Sequence, residues 1–374
     1  MKKLGFGFKC LPLKNENDLT AVDVEKVNKM VDLFIENGFN YFDTSTNYLN
    51  GVSEKIIRES VVSRYPRDKI IISNKLPTFI VDGSYDLEVI FNKQLETCGV
   101  DYFDYYFLQL DSFSEEILTK ENTYDFLKQM KEEGKIRNLG LYFLNQPSVF
   151  EKILLQHPEF DIVALSLNYY DWFDDGISSK RYYDIALKYD KKIMVRDPFK
   201  TRTLIDVPKK VHDLFKSYNK DRSMASWAIK YCASLDNVIM VISDMGKIEH
   251  VQNNVDSMKD FEPLTNEEIN LVGQAREIIK DFNQIPCINC QKCLHVCPMD
   301  ILITKYFDLY NALKCSPGIT RYSLKHYYNY YALNKQYRGA GECIGCNLCL
   351  EYCPVKIDIP KYLNQVSRYF DNLY

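Results

Sequence analysis

Eight of the twelve cysteines in this chain stand in two copies of one spacing: Cys287, Cys290, Cys293 and Cys297-Pro298, then Cys343, Cys346, Cys349 and Cys353-Pro354. Each run reads C-x2-C-x2-C-x3-C-P, the ligand spacing of cubane iron–sulfur clusters. Three thiolates two residues apart reach one cluster because the chain between them curls through tight turns. The proline sends the fourth thiolate away, toward the other cluster. The spacing therefore predicts two [4Fe-4S] clusters with crossed ligands. Cys287, Cys290, Cys293 and Cys353 would hold one, and Cys343, Cys346, Cys349 and Cys297 the other. Zinc knuckles and a disulfide scaffold are the alternatives. Zinc takes four ligands per site and needs no trailing Cys-Pro. A disulfide scaffold goes with a secretory leader, and Met1-Lys-Lys-Leu-Gly-Phe-Gly7 is too short and glycine-rich for one.

The whole chain of 374 residues has the composition of an ordinary globular protein, 46% hydrophobic with a formal charge of −4. It has no apolar run of 18 residues, so no spanning helix is expected. Mild acidity without a basic block argues against nucleic acid as partner. The expectation is a protein of the reducing cytoplasm, with Cys10, Cys98, Cys232 and Cys315 as buried apolar thiols.

From residue 4 to about 256, short apolar runs alternate with helical stretches. Strands are expected at Leu4–Cys10, Asn40–Ser45, Ile70–Leu76, Asp104–Leu110, Arg137–Phe143, Asp161–Asn168, Lys192–Pro198 and Asn237–Asp244. Near-continuous runs such as Val238-Ile-Met-Val-Ile242 suit parallel strands buried on both faces. The segments between them, such as Val22–Asn37, Ser53–Arg64 and Leu87–Cys98, are of crossover length. Eight such units in about 250 residues make a (β/α)8 TIM barrel. A doubly wound open sheet is the alternative, but no G-x-G-x-x-G follows the first strand. Leu264–Phe282 reads as a further helix leading into a small α-helical ferredoxin-like domain with two clusters. The expected domains are residues 1–262 and 263–374. Within the second, Tyr327, Tyr328, Tyr330 and Tyr331 suit helical packing better than a stacking platform for a base.

Barrel chemistry sits where strands end. Asp43 closes the second strand, Tyr48 lies in the loop after it, Lys75 closes the third and Gln109 the fourth. An acid, a tyrosine and a lysine at successive strand ends form a set that strand capping alone does not demand.

Here the chain resembles the aldo-keto reductases, in particular the branch with a C-terminal ferredoxin-like domain. The resemblance rests on Phe39 through Tyr48, Gly51 through Glu54, Ser73-Asn-Lys75, Glu133 through Arg137 with Leu139-Gly140, Asn168-Tyr169, and Glu249 through Val255. It implies Tyr48 as general acid to a small-molecule carbonyl and NADP(H) as hydride source. Lys75 would lower the phenol pKa from about 10, with Asp43 holding the lysine. Asn168, Ser243, Met245 and Asn254 fall where the family binds its cofactor, and Arg196 is a candidate for holding an anion there; a surface arginine paired to Asp197 is the other reading. The family's strand-four histidine is Gln109 here, an amide that donates a hydrogen bond but no proton. Its Ser-Asn pair after strand five is Tyr142-Phe143, and Asp244 stands where phosphates approach. The leading expectation is an iron–sulfur oxidoreductase that reduces a carbonyl or runs the reverse, served by a ferredoxin- or flavodoxin-like redox partner. The alternative is an electron-transfer or partner-binding protein whose barrel has lost reductase activity.

Overall fold

The computed structural model describes residues 2–15, 18–76, 86–111, 121–144, 146–173, 179–200, 202–282, 285–315, 330 and 333–371. Eight parallel strands close into a barrel: β1 (Leu4–Gly7), β2 (Tyr41–Asp43), β3 (Ile71–Leu76), β4 (Phe103–Asp111), β5 (Ile136–Leu144), β6 (Ile162–Ser166), β7 (Lys192–Arg196) and β8 (Val238–Asp244). Each strand pairs with its sequence neighbours, and β8 returns to β1 with Gly7 abreast of Asp244. All eight apolar runs of the sequence become strands, so the barrel expectation holds.

The crossover helices are α1 (Val24–Glu36), α2 (Ser53–Ile57), α3 (Leu87–Cys98), α4 (Glu121–Glu132), α5 (Pro147–Gln156) and α6 (Ser179–Lys188). Then come α7 (Lys209–Tyr218), α8 (Met224–Ala233) and α9 (Ile248–Met258). α1 shows why such segments coil. The Asp23 carboxylate accepts the Lys26 N–H at its start, and Val27, Met30, Val31 and Phe34 form its buried stripe. Gly38, at φ +80°, ends it in the left-handed region. Two differences from the sequence reading stand out. The expected helix Ser53–Arg64 changes at Arg58 to a π-helical turn running to Val62. The sequence reading also passed over α7, although its buried Val211 and Phe215 are four apart and Pro208 precedes it.

The barrel interior is filled by Tyr41, Phe107, Ile162, Ala164, Met194, Met240 and Ile242. A strand turns every second side chain inward. Two residues nearer the C-terminal rim, the inward positions are therefore Asp43 after Tyr41, Arg196 after Met194 and Asp244 after Ile242. The apolar filling thus gives way to charge at the rim.

The chain forms two compact units. The barrel unit takes Met1–Asn168, Ser179–Pro198 and Ala225–Leu264; the second takes Tyr169–Ser178, Phe199–Met224 and Thr265–Tyr374. The second contains α10 (Asn266–Phe282), α11 (Ile303–Cys315), α12 (Leu348–Tyr352) and α13 (Ile359–Asp371) around a core of Tyr306, Phe307, Tyr310, Tyr330, Leu363, Val366 and Phe370. Tyr330 stacks on Phe370 with ring centroids 4.0 Å apart, so it is a packing residue. Tyr327, Tyr328 and Tyr331 lie outside the described residues. Of the four scattered cysteines, Cys98 and Cys232 are buried as expected. Cys10 is exposed, a correction: β1 ends at Gly7, and Cys10 belongs to the loop beyond. The Cys315 side chain lies outside the described set. Among the described residues no helix is long and apolar enough to cross a membrane.

Candidate active site and cysteine cavities

At the C-terminal rim of the barrel, Asp43, Tyr48, Lys75 and Arg196 form one hydrogen-bonded cluster. Lys75 Nζ donates to Asp43 Oδ2 at 3.0 Å and to the Tyr48 hydroxyl at 3.1 Å. Arg196 donates through Nη1 to Asp43 Oδ2 at 3.2 Å and through Nη2 to the Tyr48 hydroxyl at 2.6 Å. Ser73 Oγ donates to Asp43 Oδ1 at 2.7 Å. The sequence reading brought Asp43, Tyr48 and Lys75 together correctly but treated Arg196 as an anion holder or a surface residue. The guanidinium is in fact buried on Tyr48 and Asp43, with the Tyr142 ring 5.1 Å from its carbon. Ser73 was passed over. Its position two residues before Lys75, on the same strand face, was the available signal.

The cluster is buried, and burial dominates its charges. It pushes the Tyr48 phenol up to about 12, with Arg196 the main opposing influence and Asp43 and Asp244 adding to the rise. This corrects the expectation that Lys75 would bring the phenol below 10: desolvation outweighs the cations. Burial pulls Lys75 down to about 8 against the pull of Asp43, and Arg196 lowers it further. Asp43 would be raised by burial, but Lys75, Arg196 and Ser73 outweigh it and hold its carboxyl below the ordinary value. At neutral pH the phenol keeps its proton while two cationic donors occupy its oxygen. A hydroxyl so placed has its own proton left to give to a third group.

The loop carrying Tyr48 is strained and tied down. Leu49 and Asn50 both sit at φ +52°, a left-handed pair that side chains disfavour. Glu54 anchors the loop by accepting from Thr46 Oγ1 at 2.9 Å. Glu54 also accepts from Asn74 at 2.8 Å and Gln94 at 3.0 Å. Asn74 in turn receives the Lys75 N–H, and Gln94 donates to the Lys75 carbonyl. One buried carboxylate thus fixes the tyrosine loop and the lysine strand to each other.

The other rim residues are arranged differently. Gln109 stands on β4 abreast of Tyr142, two residues beyond Phe107, the partner of Lys75. Asn254 Nδ2 donates to Ser243 Oγ at 2.8 Å, so these two buried residues bind each other. Met245 and Asn168 are buried, just beyond β8 and β6. Asp244 has a buried oxygen, Oδ1, without a hydrogen-bond partner. A Cβ on Gly7 would lie 2.0 Å from that oxygen, so only glycine leaves the carboxylate its place. Burial raises the Asp244 carboxyl, with Arg196 and Lys9 pulling the other way.

In the second unit the eight cysteines line two cavities in the crossed pattern. Cys287, Cys290, Cys293 and Cys353 share one with Ile288, Thr304, Phe307, Val355, Ile357 and Ile359. Cys297, Cys343, Cys346 and Cys349 share the other with residues including Ile301, Ile303, Ile344, Pro360 and Leu363. None of the eleven described cysteines is in a disulfide. Left-handed φ at Asn289 and Gln291, matched by Gly345 and Asn347, supplies the tight turns between successive thiols.

A closed parallel barrel with an acid, lysine and tyrosine at its rim, and paired cysteine quartets in the same chain, define a protein of redox type. The sequence matches the aldo/keto reductase family over residues 3–277 and a 4Fe-4S dicluster domain over residues 279–358. The chain belongs to the aldo/keto reductase family and is an oxidoreductase with a C-terminal iron–sulfur domain. It is similar to an uncharacterised oxidoreductase, YqkF, of Bacillus subtilis, 24% identical over 294 residues, or 70% of this chain and 89% of that one. Among solved structures it is similar to the aldo-keto reductase AKR11C1 from Bacillus halodurans in its holo form. That match has a TM-score of 0.58 and 22% identity and covers 73% of this chain and 91% of the other. A Klebsiella pneumoniae aldo-keto reductase in complex with NADPH matches with a TM-score of 0.58 and 16% identity, covering 73% of this chain and 90% of that one.

Proposed function

We propose that this protein reduces the carbonyl of a small molecule, or oxidises the corresponding alcohol, with Tyr48 as donor of the proton on oxygen; the two electrons would come singly through the clusters with the second proton from solvent, or together with it as hydride. The observation that carries the reading is the Tyr48 hydroxyl itself, which receives Lys75 and Arg196 and keeps its own proton for a third group. As the proton leaves, the two cations hold the phenolate that forms. Asp43 keeps both cations in place, and Gln109 is the proposed donor to the carbonyl oxygen. The barrel is read as residues 1–262 and the cluster domain as 263–374, in the cytoplasm.

Two [4Fe-4S] clusters are proposed in the second unit, one per cavity. The donor sets fit: four thiols and an apolar wall at each. Bound clusters supply electrons one at a time, which suits a ferredoxin- or flavodoxin-like partner. The fit to NADP(H) is poor. Ser243 and Asn254 are engaged with each other, and the unpartnered Asp244 carboxylate oxygen opposes a pyrophosphate.

That misfit favours a second reading, an electron-transfer or partner-binding protein whose barrel performs no reductase chemistry. The test is a panel of aldehydes and ketones added to dithionite-reduced, cluster-loaded protein, followed by the return of oxidised-cluster absorption. Tyr48→Phe should slow that return by about 10²–10⁴-fold with the spectrum intact. Equal rates in the two proteins would remove Tyr48 as the acid. No reaction with any carbonyl, together with no binding of NADPH or NADH, would establish the second reading.

A further inference from the structure

The two halves of the cysteine unit share one backbone. Counting from Cys297 and from Cys353, α11 and α13 both begin six residues on, at Ile303 and Ile359. Left-handed φ recurs at Asn289 and Gly345, Gln291 and Asn347, and Asp300 and Lys356. The turns match bond for bond. Leu294 N donates to Gln291 O as Leu350 N does to Asn347 O, and Asp300 N donates to Cys297 O as Lys356 N does to Cys353 O. Such a repeat makes any side-chain difference between equivalent positions informative.

Most equivalent positions around the cavities carry apolar residues on both sides: Ile288 and Ile344, Phe307 and Leu363, Ile357 and Ile301, Ile359 and Ile303. One pair differs in kind. Thr304 lines the cavity of Cys287, Cys290, Cys293 and Cys353, and its equivalent in the other cavity is Pro360. Thr304 is 1% exposed, and its Oγ1 has no hydrogen-bond partner in the protein. Burying a hydroxyl without a partner is costly, so a threonine here needs an acceptor. The sulfurs of a bound cluster are the acceptors that this cavity would present. Cys287 Sγ and Cys353 Sγ also each accept a backbone N–H at 3.4 Å, from Asn289 and Ile357. Cys293 and Cys349, equivalent in the two cavities, each meet their own backbone N–H. The polar residue in the lining of the other cavity, Asn347, is exposed.

We propose that Thr304 is a tuning residue whose hydroxyl donates to the cluster held by Cys287, Cys290, Cys293 and Cys353, making it the easier of the two to reduce. Reduction adds negative charge to the cluster, and a donor aimed at its sulfurs stabilises the reduced form. The carboxylate of Asp308 works against this from the same side. Lys200 and Lys305 offset its charge, and Asn289 Nδ2 donates to its Oδ2 at 3.4 Å. Electrons entering the unit would settle on this cluster.

The inference rests on the two-cluster reading, and one experiment separates their failures. The full chain is loaded with iron and sulfide anaerobically, its iron is counted, and its reduction is titrated by electron paramagnetic resonance. Wild type should show about eight irons and two unequal one-electron steps. Thr304→Val should lower the higher step about tenfold in its reduction equilibrium, about 59 mV for one electron, and leave the lower step in place. Thr304→Ser should match wild type and Thr304→Ala should match valine, which decides the matter should the valine variant load poorly. Coincident steps in wild type, serine and alanine variants alike, or a shift confined to the lower step would each overturn the proposal. About four irons in wild type would instead overturn the two-cluster reading beneath it.

Discussion

At the barrel rim, groups from β2, β3 and β7 and one loop satisfy one another: each charge of Asp43, Lys75 and Arg196 meets an opposite charge within about 3 Å. In the second unit eight thiols line two cavities, and Cys287 and Cys353 accept backbone N–H groups there. The first site is completed by its own chain, whereas the second is completed by what it binds. Folding and function are therefore coupled differently in the two units. The tetrad is held by bonds within the chain, while bound iron and sulfide would add to the stability of the cysteine unit itself.

The sharpest way to break this comparison is to deny the second unit its ligands, where the largest effect is expected. Cys349→Ala removes a buried thiol from one cavity. Bound iron should fall by about half or more, since each cubane needs its four thiolates. Hydrogen exchange followed by mass spectrometry should show lost protection in α11 and α13, with β1 through β8 protected as in wild type. Equal loss of protection in the barrel strands would show that the barrel depends on the clusters after all.

An intermediate effect separates the two cations of the tetrad. Lys75 is held near 8 in the folded protein and stands at 10.5 in its unperturbed state. Between those values the unfolded chain binds more protons than the folded one at this group. The cost of burying its charge is thus present in full below about 8 and is relieved as pH rises toward 10.5. Stability measured by denaturant, wild type against Lys75→Met, should move in favour of wild type between pH 7 and pH 9. Arg196, held well above its ordinary value, stays charged throughout, but it also lowers Lys75, so Arg196→Met should show a smaller trend of the same sign. A trend with the arginine variant and none with lysine would reverse the assignment.

What could be read from the sequence divides along the same line. The cavities were legible to the residue, because cluster ligation depends on local spacing and the crossed assignment follows from a proline. The barrel was legible through its apolar runs, and Asp43 and Lys75 through strand ends. The role of Arg196 was not. It depends on a 153-residue closure that brings β7 across to β2 and Tyr48, which no local pattern encodes. The direction of the Tyr48 shift was likewise hidden, since it turns on how dry the rim is rather than on which charges are present. Thr304 was invisible until the pseudo-symmetry set it against Pro360.

The smallest expected effect probes the rim where charge is least compensated. Gly7 and Asp244 are abreast on neighbouring strands, and a methyl group at Gly7 would sit 2.0 Å from Asp244 Oδ1. No neighbouring backbone yields easily there, because β1 is held on both sides by ladder hydrogen bonds. The carboxylate must therefore move. Gly7→Ala should cost about 1–3 kcal/mol, as overpacking does in a well-filled interior. Because the Asp244 carboxylate raises the Tyr48 phenol, moving it away should also let the phenol fall below about 12. Gly7→Ala combined with Asp244→Ala should recover most of the lost stability, since the second change removes the obstructing oxygen. If the double variant is no more stable than the single one, the conflict lies with the strand backbone. Asp244 would then be a bystander at the rim.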